Sequence, residues 1–229
     1  MKLKQKLALC LVMLDNIEAI RKGLHRALER ANRPKDSCQI IAVTKTYDSL
    51  IVDEARNHGM AHFGENKVQE AIGKFADAAN RPSNEKLHLI GPLQSNKARQ
   101  ALQHFDFIHS VDRPKLVTAL ARIRDEEGRC PKLFIQVNTG EEAQKAGVMP
   151  ADLNQLVDQA RSLSLPVAGL MCIPPANQAP APHFAWLSQR AKSLDLRELS
   201  MGMSSDYEAA AELGATYVRV GSALFGQRA

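Results

Sequence analysis

Lys45 is the residue whose type and position point most directly to chemistry. It ends the apolar run Ile41-Ala42-Val43-Thr44-Lys45, which predicts a β-strand. Because side chains alternate between the faces of a strand, Lys45 shares a face with Ile41 and Val43. A desolvated lysine amine is the kind that condenses with an aldehyde to give a Schiff base. The alternative is a lysine that extends to solvent or joins a salt bridge, and its position alone leaves both interpretations open.

Two glycine-containing turns near the C-terminus have the composition of an anion site. Gly202-Met203-Ser204-Ser205-Asp206 leads into a predicted helix, and Gly221-Ser222 follows the last predicted strand. Unpaired backbone N–H groups at such turns can receive a phosphate, and the serines add hydroxyl groups. The alternatives are a helix N-cap at Ser205 and a simple turn at Gly221.

Two further polar residues could contact the same ligand. Arg219 lies between aliphatic residues in the last predicted strand, so one face of that strand carries a guanidinium. If it points inward, it could donate to a ring nitrogen; the alternative is an internal salt bridge with Glu65 or Asp206. Asn66 could line the site or cap the next helix.

The histidines and cysteines indicate no metal site. His62, His88 and His109 lie in or at the ends of predicted strands without metal-ligand spacing, and we expect satisfied core or rim histidines. None of the four cysteines forms a C-x-x-C pair. Such thiols favour a reducing cytoplasm. The N-terminal apolar stretch imitates a signal peptide but continues as an amphipathic helix with no small-residue cleavage site.

Short apolar segments and amphipathic segments alternate along the chain. Strands are predicted over residues 39–45, 61–63, 87–90, 105–109, 132–137, 167–171, 198–201 and 217–220. The first seven are followed by predicted helices over 48–57, 67–79, a segment opening near 95, 114–127, a segment after 150 to 163, 184–194 and 205–213. This alternation predicts a parallel sheet, and eight units favour a (β/α)₈ barrel over a doubly wound sheet.

We expect one domain over residues 1–229, with a helix at about 7–31 and the barrel at about 39–226. That helix could cover the place where an eighth barrel helix would lie. In such barrels function gathers on the loops after the strands, and phosphates often bind after strands seven and eight. The segments that follow the carboxyl ends of the predicted strands form one polar ring. They are Lys45, 64–66, 91–96, 109–110, 138–140, 172–174, 202–206 and 221–223.

The composition argues against several other classes of protein, although the basic charge leaves a nucleic-acid-binding module as a third hypothesis. The chain is 45% hydrophobic, which is ordinary for a globular protein. Its formal net charge of +5 suggests nucleic acid, but the basic residues are scattered beside acids, as in 122–127. No basic run is interleaved with aromatic residues, as a platform for single strands requires. No segment is long enough to span a bilayer.

Together the motifs resemble those of the pyridoxal phosphate (PLP) homeostasis proteins, single-domain barrels similar to the N-terminal domain of alanine racemase. The resemblance extends from about residue 40 to residue 226. The motifs lie at 42–46, 62–66, 90–97, 108–112, 136–138, 169–174, 199–204 and 218–222. This sequence departs from the family pattern at Lys67, where an aromatic residue is usual, at Leu87, where tryptophan is usual, and at Ser222, which replaces a common threonine.

The resemblance implies a role for each candidate residue. Lys45 would form the internal aldimine with PLP, Arg219 would face the pyridine nitrogen, and Asn66 would lie beside the ring. An arginine there would keep the nitrogen unprotonated and weaken the ring as an electron sink. The phosphate positions and their loop comprise Met203, Ser204, Ser205, Gly221 and Ser222.

The function that the resemblance implies is PLP binding and buffering in vitamin B6 homeostasis, with no catalytic residue. We expect a cytoplasmic monomer that passes PLP to PLP-dependent apoenzymes and binds neither nucleic acid nor membrane. The alternative is a racemase-like PLP enzyme. Racemases of this fold need a second base, a tyrosine from an additional domain; the tyrosines here are Tyr47, Tyr207 and Tyr217, which counts against racemization.

Overall fold

The computed structural model describes residues 3–75 and 81–226, with side chains from residue 12 onward. At its centre eight parallel strands form a closed barrel in chain order, which confirms the predicted (β/α)₈ architecture. The strands are β1 (Gln39–Val43), β2 (His62–Glu65), β3 (Lys86–Leu89), β4 (Phe107–Val111), β5 (Lys132–Val137), β6 (Val167–Cys172), β7 (Glu198–Ser200) and β8 (Tyr217–Val220).

The helices of the described chain surround this barrel. They are α1 (Leu3–Arg30), α2 (Ser49–Asn57), α3 (Val68–Lys74), α4 (Ala98–His104), α5 (Pro114–Glu127), α6 (Leu153–Ser162), α7 (Pro180–Ser193), α8 (Tyr207–Glu212) and α9 (Ser222–Phe225). Short 3₁₀ turns, Ser95–Lys97 and Pro150–Asp152, precede α4 and α6. None of these helices is long and apolar enough to cross a membrane.

The two faces of the strands bury two separate sets of side chains. Outward residues such as Ala42, Phe63 and Leu133 join the main core between barrel and helices. The inward set is a second, mostly aromatic cluster: Ile41, Phe107, Phe134, Met171 and Tyr217. The period-two alternation of the strands therefore divides the protein into an outer core and a filled barrel interior.

Helix α1 covers the barrel beside its last two helices. Its buried positions Ile17, Ile20, Leu24 and Leu28 recur at helical spacing, and the helix packs against α8 and α9. Because α9 is only four residues long, α1 supplies much of the cover that an eighth barrel helix would give. This agrees with the expectation from sequence.

The fourth strand lies two residues later than the sequence predicted. Phe105 belongs to the end of α4, where its N–H donates to the carbonyl of Ala101, and β4 begins at Phe107. His109 and Ser110 therefore lie inside the strand and are buried, and the prediction that they form part of the polar ring is wrong.

Other boundaries also differ from the predicted ones. Strand β1 ends at Val43 rather than at residue 45. Helix α3 ends at Lys74, because Phe75 adopts an extended backbone and its ring packs against that of Phe63, with 5.6 Å between the ring centroids. The rest of the predicted helix, up to residue 79, lies outside the described residues. Helix α7 begins at Pro180, four residues early, and α9 was not predicted.

Three histidines form a hydrogen-bonded chain through the barrel interior. Nδ1 of His62 lies 2.9 Å from Nε2 of His88, and Nδ1 of His88 lies 2.9 Å from Nε2 of His109. His88 stacks on Phe107 and His109 on Phe134. The two contacts fit the expectation of satisfied histidines, but Nδ1 of His109 is buried without a partner among the described residues. The described chain holds no cluster of histidine, cysteine and acidic residues that could bind a metal.

The buried histidines predict acid sensitivity. Burial lowers the pKa of His88 and of His109 well below the ordinary value. As the pH falls below about 6.5, the unfolded chain takes up protons that the folded chain does not. The free energy of unfolding should therefore fall from pH 7 to pH 5, by up to about 1.4 kcal/mol per pH unit for each histidine.

Urea unfolding across this pH range measures the effect. The variant His109→Phe should show a shallower dependence on pH, whereas His25→Phe, at an exposed position of α1, should keep the wild-type dependence. An unchanged slope in His109→Phe would contradict the interpretation.

Candidate functional site

A cavity of about 940 Å³ lies at the carboxyl ends of the strands. All eight candidate residues from the sequence line it. These are Lys45, Asn66, Met203, Ser204, Ser205, Arg219, Gly221 and Ser222. They converge because the loops after β1, β2, β7 and β8 all emerge at the same face of a closed parallel barrel.

Lys45 enters this cavity two residues beyond the end of β1. Ile41 lies in the barrel interior, and Val43 and Lys45 both line the cavity, as the alternation of the strand predicts. The Lys45 side chain is half-buried, and its amine makes no hydrogen bond or ion pair with a described residue. The salt-bridge alternative is therefore wrong for the described chain, and the amine is available to a ligand.

The two serine loops are joined through one hydroxyl group. The Oγ of Ser204 accepts from the N–H of Gly221 at 3.4 Å and from the N–H of Ala223 at 3.3 Å. On the other side, the N–H of Met203 donates to Oδ1 of Asp206 at 2.6 Å, which closes the turn after β7. The two loops thus form one wall of the cavity.

Three other backbone donors on this wall have no partner within the described chain. The N–H groups of Ser204, Ser205 and Ser222 donate to no described acceptor. Helix α8 begins at Tyr207, so Ser205 is not its N-cap. Unpaired N–H groups beside serine hydroxyls suit a phosphate.

Arg219 is buried at the base of the cavity and held by neutral groups. It is 4% exposed and donates to Oγ of Ser200 at 2.7 Å and to the carbonyl of Cys172 at 2.9 Å. It forms no ion pair with Glu65 or Asp206, so the predicted salt-bridge alternative is wrong. Burial lowers the pKa of the guanidinium, but an arginine remains a cation and a donor at neutral pH.

Asn66 lines the cavity and does not cap α3. The N-cap of α3 is Lys67, which makes no side-chain capping bond. The loop after β3 approaches closely at Gly91, where an added Cβ would lie 2.3 Å from the carbonyl oxygen of Asn66. Gly91 is therefore the residue type that this contact requires.

Several residues that line the cavity were not among those that the sequence singled out for the site, and they include Tyr47, Gln136, Lys145 and Ala146. Lys145 belongs to the long loop after β5, which folds back so that Val148 pairs with Val137. Its amine forms an ion pair with Glu142 at 2.6 Å. Gly147 has a φ of 123°, a backbone conformation that glycine adopts readily, and it allows the loop to fold back toward β5. In the sequence, this glycine was the one feature that could have indicated such a turn.

The charge of the lining selects the chemistry of the ligand. Lys45, Lys145 and Arg219 are cations, and the described lining includes no carboxylate. Apolar side chains such as Ile90 and Ile173 supply the remaining walls. A small anionic molecule fits this arrangement, and the unpaired amine of Lys45 could react with an aldehyde on it.

The chain is a (β/α)₈ barrel whose carboxyl-terminal face holds a cavity lined by Lys45, Lys145 and Arg219. The sequence matches the family described as alanine racemase, N-terminal domain, over residues 16–229. A pyridoxal phosphate homeostasis protein of Pseudomonas aeruginosa is 42% identical over 93% of this chain and 95% of the relative. The chain belongs to the alanine racemase N-terminal domain family and, within it, to the pyridoxal phosphate homeostasis proteins.

Solved structures agree with this assignment. PipY of Synechococcus elongatus, solved without PLP, is 42% identical and superposes with a TM-score of 0.79, covering 93% of this chain and all of PipY. The structure of PipY with PLP bound gives a TM-score of 0.78 at the same identity and coverage.

The contact at Gly91 predicts a local effect on stability. In Gly91→Ala the new methyl meets the backbone of Asn66, so one of the two loops must move, and we expect a loss of about 1–3 kcal/mol. In the control, Gly73→Ala on α3, nothing lies within 4 Å of the new Cβ, and we expect a gain of about 0.5–1 kcal/mol. Thermal unfolding of both variants checks this; equal stabilities would contradict it.

Proposed function

We propose that this chain binds PLP in the cavity, with the PLP aldehyde joined to the amine of Lys45 as a Schiff base, and that it buffers and carries the cofactor. The observation that carries the proposal is the unpaired amine of Lys45 in one cavity with the free N–H groups of the two serine loops. The PLP-bound structure of PipY, a protein 42% identical, supports it.

The residues present fit the parts of PLP. Ser204, Ser205, Gly221 and Ser222 would hold the phosphate, Met203 belongs to the same wall, Arg219 would donate to the ring nitrogen, and Asn66 would lie beside the ring. Bound PLP would supply an aldehyde and an electron-withdrawing ring. The partly apolar walls would limit access of water to the linkage.

Arg219 favours a carrier over a catalyst. Its guanidinium donates hydrogen bonds and accepts none, so a ring nitrogen facing it would stay unprotonated and the ring would be a weak electron sink. The homeostasis relatives carry a name that describes no reaction. In this proposal the cofactor passes from the cavity to PLP-dependent apoenzymes.

Titration of the apoprotein with PLP tests the proposal. The wild type should develop the visible absorption of a Schiff base, and Lys45→Ala should lose it and weaken binding by about tenfold or more. The control variant Lys22→Ala changes an exposed lysine of α1 and should titrate like the wild type. Wild-type absorption retained in Lys45→Ala would overturn the assignment of Lys45.

A racemase-like activity is the second candidate, and Tyr47 favours it. This tyrosine lines the cavity two residues after Lys45, where its ring packs on Phe225 at 4.8 Å. A tyrosine hydroxyl is thus present in the site without an additional domain. Tyr47 nevertheless comes from the same loop as Lys45, whereas racemization needs two bases on opposite faces of the substrate.

Exchange of the α-proton of amino acids for solvent deuterium separates the two candidates. With PLP-loaded protein, we expect no exchange beyond that of free PLP. Exchange at catalytic rates that is lost in both Lys45→Ala and Tyr47→Phe would contradict the carrier proposal.

A further inference from the structure

Lys74, on α3, contacts the back of the loop that carries Lys45. Its Nζ donates to the carbonyl of Thr44 at 2.9 Å, to Oε1 of Glu65 at 3.0 Å and to Oε1 of Glu70 at 2.6 Å. The Lys74 side chain is only 11% exposed. A cation held by a backbone carbonyl and two carboxylates on three different segments fixes their relative positions.

The two glutamates bind the same loop directly. The hydroxyl of Thr44 donates to Oε1 of Glu65 at 2.7 Å, and Glu65 is fully buried at the end of β2. The N–H of Thr46 donates to Oε1 of Glu70. The hydroxyl and carbonyl before Lys45 and the amide after it are thus all held by this group. We call Glu65, Glu70 and Lys74 the Lys45 clamp.

The backbone at Lys45 needs such support. Strand β1 ends at Val43, so the barrel ladder does not fix Lys45 itself. Thr46 has a φ of 67°, in the left-handed region that a β-branched residue rarely adopts. Such a conformation persists only where the surrounding structure determines it, and the clamp provides the acceptor for the Thr46 N–H.

We propose that the Lys45 clamp consists of positioning residues that hold the Lys45 amine for attack on the aldehyde of the ligand. This inference rests on the proposed function. In the reaction, the Lys45 nitrogen bonds to the aldehyde carbon, and the aldehyde oxygen leaves as water with two protons from the amine. A fixed amine favours this step because less freedom is lost when the bond forms.

The alternative role of the clamp is to stabilise the fold without positioning Lys45. A similar ion-pair cluster elsewhere in the protein serves as a control that distinguishes positioning from stability. Arg56 also bridges a buried and a more exposed acid, Glu85 and Asp53. It lies on α2 near the amino ends of the strands, away from the cavity. Arg56→Met therefore removes a comparable cluster without touching the Lys45 loop.

The experiment compares two ligands in Lys74→Met, Arg56→Met and the wild type. PLP reports Schiff-base formation by its visible absorption, and 4′-deoxypyridoxine 5′-phosphate, which lacks the aldehyde, reports binding of the ring and phosphate. In Lys74→Met we expect PLP affinity to fall about tenfold or more while analogue affinity stays within about twofold. Arg56→Met should leave the ratio of the two affinities unchanged, and Lys74→Arg should restore it in part.

Glu70→Ala provides a second test that does not depend on folding of the lysine variant. The Glu70 side chain is 24% exposed, and its loss frees the N–H of Thr46. We expect a selective loss of PLP affinity here as well. A wild-type ratio of PLP to analogue affinity in both Lys74→Met and Glu70→Ala would overturn the positioning role. Failure of the wild type to form a Schiff base would instead overturn the proposed function, and this inference with it.

Discussion

Closure of eight parallel strands into one ring determines where every other part of the molecule lies. It places the carboxyl ends of all eight strands at one face of the barrel and points alternate side chains of each strand into the barrel interior. Below the cavity, aromatic rings and the histidine chain fill that interior. Lys45 reaches the cavity because it continues the inward face of Ile41 and Val43.

The cavity combines positive charge with few counter-ions. Arg219 is held by a hydroxyl and a carbonyl, and Lys45 has no described partner, so neither charge is neutralised by the protein. The carboxylates of Glu65 and Glu70 contact the loop that carries Lys45 but form ion pairs with Lys74 and not with Lys45. An anionic ligand would supply the missing counter-charge, and the same arrangement leaves the Lys45 amine free to react.

The barrel could be predicted from the order of elements, and the inward positions of Lys45 and Arg219 from period-two alternation. The roles of Asn66 and of the two serine loops were predicted from the resemblance to a known family. The start of β4 could not be predicted from sequence. Phe105, Phe107 and His109 show the same alternation whether the strand begins at residue 105 or at residue 107, and long-range packing determines which start is adopted. Lys145 and Tyr47 reach the cavity through loop paths that no periodicity encodes. The contact of Lys74 with the Lys45 loop depends on how α3 packs, which local sequence does not fix.

We propose that Lys45, rather than another lysine, carries PLP. Borohydride reduction of the PLP-loaded protein, followed by peptide mass spectrometry, tests it directly because reduction makes a Schiff base permanent. Lys145 is the other lysine that lines the described cavity and is therefore the decisive comparison. We expect the reduced pyridoxyl group on Lys45; its appearance on Lys145 instead, or on no lysine, would overturn the assignment of Lys45.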